Sequence, residues 1–175
     1  ARSLIIGPSN SGKTNDLLNI IHHSVFHKIF IYSKTLDEDK YQFLINIQRQ
    51  KEEELIRRGI SESLIHFSTD LQDVVQLEDL NKNYQHLYIF DDICLTEKKV
   101  QEKYIGDLYI RSRKYNCSVV YLSQSYFKTP KIIRDNAQFV VLKRLNDFRE
   151  IKTIHTIYAS DIKRDEFIKK YEEST

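Results

Sequence analysis

Residues 7–14 read Gly7-Pro8-Ser9-Asn10-Ser11-Gly12-Lys13-Thr14 (GPSNSGKT) and hold two of the four glycines and one of the two prolines in a 175-residue chain. A short apolar run, Ser3-Leu4-Ile5-Ile6, precedes them and reads as a buried strand. Asn15 to Ile21 follows, with apolar residues at helical spacing. A strand, then G-x-x-x-x-G-K-[ST], then a helix is a phosphate-binding loop in the context that such a loop requires. Its glycines allow positive φ and a close approach of backbone N–H groups to a polyphosphate. The helix start aims its unpaired N–H groups and positive dipole end at the same anion. Gly7 through Thr14 are therefore the expected nucleotide-binding residues. Lys13 is a point charge for the β- and γ-phosphates of ATP, and the Thr14 hydroxyl is an expected Mg²⁺ ligand.

A phosphate loop needs a metal partner. In LYIFDD, residues 87–92, four mostly apolar residues lead to Asp91 and Asp92 at the carboxyl end of a strand, where ligands of open α/β sheets bind. Asp91 is positioned to hold Mg²⁺, directly or through water, opposite Thr14. Asp92 can orient or deprotonate the attacking water. A further strand ends at Ser123 and leaves Gln124 at its tip. A neutral amide there can donate to the γ-phosphate and accept from a water.

The flanking segments alternate strand and helix. Strands are expected at Lys28–Ser33, Leu64–Ser68, Leu87–Asp91, Ser118–Ser123 and Gln138–Lys143. Thr35-Leu36-Asp37-Glu38 reads as a capping box opening a charged helix that ends near Gly59. Asp70 caps another expected helix, and a third runs from about Glu97 to Tyr115. Pro130 starts a short one, and the tail from Asp147 is helical. Apolar strands alternating with helices predict an α/β fold, a mainly parallel central sheet with helices on both faces.

Length and composition fit one domain over residues 1–175, the one that holds the phosphate loop. The absence of an initial Met suggests trimming at an end. No apolar run approaches the roughly 18 residues of a membrane span, and no signal peptide is expected at the amino terminus. Cys94 and Cys117 make no metal pattern and fit a reducing compartment. His22, His23 and His27 lack a carboxylate or Cys spaced to join them and are not expected to bind metal. The net charge of +2 is uneven. Residues 1–97 carry 10 Lys and Arg against 15 Asp and Glu, while residues 98–175 carry 17 against 10. A basic second half permits nucleic-acid contact, although solvated helix faces account for the charge equally well.

Arg111, Arg113 and Arg134 are candidates for an arginine that reaches a neighbouring subunit's γ-phosphate. In the helix ending at Tyr115, 100° per residue puts Arg111 at the edge of the apolar stripe. It puts Arg113 well round on the outer face, so Arg113 is the favoured catalytic arginine.

The chain resembles the poxvirus-type genome-packaging ATPases of large DNA viruses and virophages, in the FtsK–HerA superfamily of P-loop motors. The resemblance rests on LIIGPSNSGKT, IFIYSKT, LYIFDDI and RSRKYNCSVVYLSQSYFKTPKIIRDNAQFVVLKR, in that order. It implies an ATP-hydrolysing motor that moves double-stranded DNA into a capsid. The partners it implies are duplex DNA, further copies of the chain in a ring, and capsid proteins. The setting it implies is the host cytoplasm, a virus factory or the virion. It assigns the nucleotide loop to Gly7–Thr14, metal and water carboxylates to Asp91 and Asp92, and a sensor to Gln124. Arg113 matches the arginine before the sensor strand. Many superfamily members carry Asp-Glu where this chain has Asp91-Asp92, and aspartate reaches one methylene less far. Two rival functions share the loop: a small-molecule kinase, for which no lid insertion with paired arginines is evident, and a nucleotide-binding module without turnover.

Overall fold

The apolar runs condense into six parallel strands. The computed structural model describes residues 1–59, 63–93 and 96–175. The strands are β1 (Arg2–Ile6), β2 (Lys28–Ser33), β3 (Ile65–Ser68), β4 (His86–Asp91), β5 (Cys117–Ser123) and β6 (Phe139–Leu142). They form one sheet in the order β3-β2-β4-β5-β1-β6. Every pairing is parallel.

The helices are α1 (Lys13–His23), α2 (Asp39–Arg57), α3 (Lys98–Arg111), α4 (Lys131–Asn136), α5 (Phe148–Tyr158) and α6 (Arg164–Ser174). On one face, Ile5, Ile31, Ile89 and Val120 pack with Leu17 of α1 and with Tyr41 and Leu44 of α2. On the other, Leu4, Phe30, Tyr88 and Tyr121 pack with residues of α3, α4, α5 and α6. Residues alternate between the faces because strand side chains do. All six residues of β4 are buried, as expected for a strand covered on both sides.

Chain direction explains this division. From β1 to β2 to β3 the chain moves toward one edge, and its crossover helices lie on the first face. From β4 onward it moves the other way with α3 and α4 on the second face, as right-handed crossovers require. Because the direction reverses, β5 fills the gap between β4 and β1. Three strand ends that are far apart in sequence thereby become neighbours.

Several local expectations need correction. Thr35 and Glu38 make no capping box. The Thr35 hydroxyl meets Ser33 Oγ at 3.3 Å, and the Thr35 carbonyl accepts the Glu38 N–H at 3.1 Å. That pair forms a turn, so α2 begins at Asp39 with no side-chain cap. Gly59, at φ 77°, does terminate this helix. Asp70 caps only a one-turn 3₁₀ helix, Leu71–Asp73. The helix expected to reach Tyr115 ends at Arg111 and tightens into a 3₁₀ turn, Ser112–Tyr115, closed by Asn116 in the left-handed region. The helical tail is two helices, α5 and α6. Cys117 is buried with a free thiol, pushed up to about 11 by burial. Cys94 lies outside the described residues. Among the described residues no helix is long and apolar enough to cross a membrane.

Candidate nucleotide site

The phosphate loop leaves β1 at Ile6, and the Gly7 N–H donates to the Ser123 carbonyl at the end of β5 at 3.0 Å. A Cβ on Gly7 would stand 2.5 Å from Lys143 Cβ and 2.5 Å from Ser11 Oγ. Only glycine lets the loop pass this close to the end of β6. Asn10 and Gly12 have φ of 61° and 86°. Gly12 precedes α1, which has no side-chain cap. The first N–H groups of α1 are thus left for a ligand. Lys13 Nζ donates to the Gly7 and Pro8 carbonyls at 2.7 and 2.8 Å. The loop thus holds the ammonium with its own carbonyls.

Ser9, Asn10, Ser11, Gly12, Lys13 and Thr14 line one cleft with Glu38, Lys40, Asp91, Asp92, Leu122 and Gln124. Gly7 and Pro8 shape the loop from behind. Asp91 is 8% exposed. Its Oδ2 accepts from the Tyr41 hydroxyl at 2.5 Å, and its Oδ1 from the Asp92 N–H at 2.9 Å. Burial pushes the Asp91 carboxyl above the usual carboxylate range, against those hydrogen bonds and the positive charge of Lys13. A cation beside it would offset the cost of keeping this buried group ionised. Thr14 and the two carboxylates offer an all-oxygen donor set, which suits a hard cation such as Mg²⁺. Asp92 adopts φ 50°, a left-handed conformation that Asp tolerates better than most residues. Its Oδ1 accepts from Gln124 Nε2 at 3.2 Å. The expected water-orienting pair is therefore in direct contact.

The arginines lie elsewhere. Arg113 sits in the 3₁₀ turn rather than on a helix, so the 100° spacing does not apply to it, yet it is exposed. It borders Ala1, Gln85, Asn116, Cys117 and Ser118, all at the amino ends of the strands. The seven residues of β5 put about 20 Å between that end and the cleft. Arg113 is too far to serve the loop of its own chain. Arg111 is engaged with Asp107 at 2.9 Å and Glu78 at 2.5 Å. The Arg134 guanidinium lies 4.7 Å above the Tyr126 ring. Among the described residues no arginine lines the cleft; its cations are Lys13 and Lys40.

Three residues at the start of α2 were not expected in the site: Glu38, Lys40 and Tyr41. Glu38 reads in the sequence only as part of a capping box, and no motif marks Lys40 or Tyr41. Tyr41 meets Asp91 across 50 positions, a contact that only the parallel pairing of β2 with β4 creates.

Comparison with known proteins follows the same lines. The family described as "Poxvirus A32 protein" matches residues 1–169. No curated protein matches the chain in sequence. The genome packaging NTPase B204 of Sulfolobus turreted icosahedral virus 2, solved with AMP, is 13% identical, with a TM-score of 0.60. That match covers 94% of this chain and 85% of the other. The B204 DNA-packaging ATPase of Sulfolobus turreted icosahedral virus is 15% identical, with a TM-score of 0.59 over 91% and 82% of the two chains. The cytoplasmic domain of the Thermomonospora curvata type VII secretion ATPase EccC is 16% identical, with a TM-score of 0.51. It covers 96% of this chain but 22% of its own. At such identities these likenesses speak to the fold.

Proposed function

The chain belongs to the poxvirus A32 protein family, and on that premise we propose that it hydrolyses ATP to drive double-stranded viral DNA into a capsid. The observation that carries this reading is the convergence of three adjacent strand ends on one cleft. The loop after β1, Asp91-Asp92 at the end of β4 and Gln124 after β5 all line it. The fold shared with packaging ATPases supports the same reading.

Each residue has a distinct task. The loop N–H groups and the first turn of α1 bind the phosphates. Lys13 exchanges two loop carbonyls for phosphate oxygens, so nucleotide binding replaces contacts the ammonium already makes. Thr14 and Asp91 would hold Mg²⁺, which neutralises charge on the phosphate oxygens when bound. Asp92 takes the proton of the attacking water. Gln124 donates to Asp92 in the structure described here, and its amide reports whether a γ-phosphate is present. Arg113 serves the site of a neighbouring copy, because it cannot reach its own. Duplex DNA contacts the basic second half, and the working form is a homo-oligomeric ring.

The deciding measurement is the ATPase rate with and without duplex DNA, recorded alongside native mass. The reading expects Mg²⁺-dependent turnover that rises with DNA and with assembly. Phosphate transfer to a small-molecule acceptor, with no response to DNA, would replace it with the kinase reading.

A further inference from the structure

Tyr41 is completely buried on α2. Among the buried tyrosines, Tyr32, Tyr88 and Tyr109 direct their hydroxyls to backbone carbonyls, Tyr121 to the Gln101 side chain and Tyr115 to Glu78 at the surface. Tyr41 instead directs its hydroxyl to the Asp91 carboxylate, at 2.5 Å. The same turn of chain carries Glu38 and Lys40 on the wall of the cleft. Phenylalanine would fill the same core volume, so packing alone does not account for the hydroxyl. Together with the Asp92 N–H on Oδ1, it occupies both oxygens of Asp91. The carboxylate cannot turn about its terminal bond without losing one of these bonds.

We propose that Tyr41 is a positioning residue of the nucleotide site, fixing the orientation in which the Asp91 carboxylate faces the divalent cation. The proposal rests on the nucleotide reading above. Each carboxylate oxygen keeps a free lone-pair direction after accepting one bond, so Asp91 can serve a cation while Tyr41 holds it. Mg²⁺ demands near-ideal octahedral geometry, so a carboxylate held in one orientation favours Mg²⁺. Removing the hydroxyl frees Oδ2 to turn, a change that cations with looser geometry accept more readily.

The test uses a fluorescent ADP analogue titrated with Mg²⁺ or Mn²⁺ on wild type and Tyr41→Phe. Outer partners of metal ligands typically contribute about 10- to 100-fold in metal affinity. In Tyr41→Phe the Mg²⁺ concentration at half effect should rise by about that factor. Mn²⁺ should lose less, and nucleotide affinity without metal should stay unchanged. A purely structural role would lower the unfolding temperature while leaving both metal titrations superimposed on wild type, and that result overturns the proposal. A second measurement reads the Asp91 carboxylate itself. With ¹³C-labelled aspartate and Mn²⁺–ADP, double-resonance EPR should show a carboxylate coupling that is absent in Asp91→Ala and altered in Tyr41→Phe. A coupling identical in wild type and Tyr41→Phe overturns the proposal. If wild type binds the nucleotide with no metal dependence at all, the metal role of Thr14 and Asp91 falls, and this proposal with it, while the nucleotide site stands; if wild type binds no nucleotide, the nucleotide-site reading itself falls.

Discussion

Gly7→Ala tests whether the phosphate loop depends on its closeness to β6. The added Cβ would sit 2.5 Å from Lys143 Cβ and from Ser11 Oγ. The Ser11 hydroxyl can rotate away. Lys143 Cβ cannot, because the Lys143 N–H is bonded to the Ile6 carbonyl at 2.8 Å. Carbon atoms rest at about 3.5–4.0 Å, so loop and strand must separate by about 1 Å. Overpacking of this kind costs about 1–3 kcal/mol. For a chain of this length that lowers the unfolding temperature by about 2–12 °C. The displaced atoms are those that present N–H groups to phosphate, so nucleotide affinity should fall at least about tenfold, equivalent to about 1.4 kcal/mol. Thermal unfolding and fluorescent-nucleotide titration measure the two effects. Gly7→Ala/Lys143→Gly should recover part of both, since it removes the opposing Cβ. Wild-type stability and affinity in Gly7→Ala would refute the reasoning, as would a double variant no better than the single one.

Lys13→Ala should abolish turnover, and full ATPase activity in the purified variant would remove the site assignment. Asp92→Asn should keep nucleotide affinity while turnover drops about 10²-fold or more, the scale of a lost general base; a parallel fall in affinity would give Asp92 a binding role instead. Asp91→Asn should be more stable than wild type at neutral pH. Burial raises the folded-state pKa of Asp91, so wild type loses stability as pH rises from the unfolded value through the folded one. The gap should close in acid, and denaturant melts across that range would show it. Mixing Arg113→Ala with Lys13→Ala subunits should restore part of the activity that each lacks alone. No recovery in proven mixed oligomers would shift attention to Arg111 or Arg134.

What the sequence revealed was what local chemistry encodes. The loop, its flanking strand and helix, and the carboxylates closing a run of apolar residues all depend on near neighbours. The αL glycine ending α2 was legible for the same reason. The misread segments were those where a nearby partner captured a group. Thr35 was taken by Ser33 and so did not cap α2. The chain after Arg111 tightened into a 3₁₀ turn before the left-handed Asn116, which moved Arg113 off any helix face. Tyr41 was illegible for the opposite reason. Its partner Asp91 is distant in sequence, and nothing around Tyr41 differs from an ordinary amphipathic helix.

The insertion of β5 between β1 and β4 also bears on how the protein is made. Among the described residues strand β1 pairs only with β5 and β6, and Arg2 meets Val119 117 positions later. During synthesis at about 5–20 residues per second, the first strand waits roughly 6–23 s for its earliest partner. Until then the Gly7 N–H lacks the Ser123 carbonyl, and the loop has no fixed shape. The nascent chain therefore cannot capture nucleotide early and use it as a folding template. Such distant pairing also predicts slow refolding, with nucleotide binding regained only in its last phase.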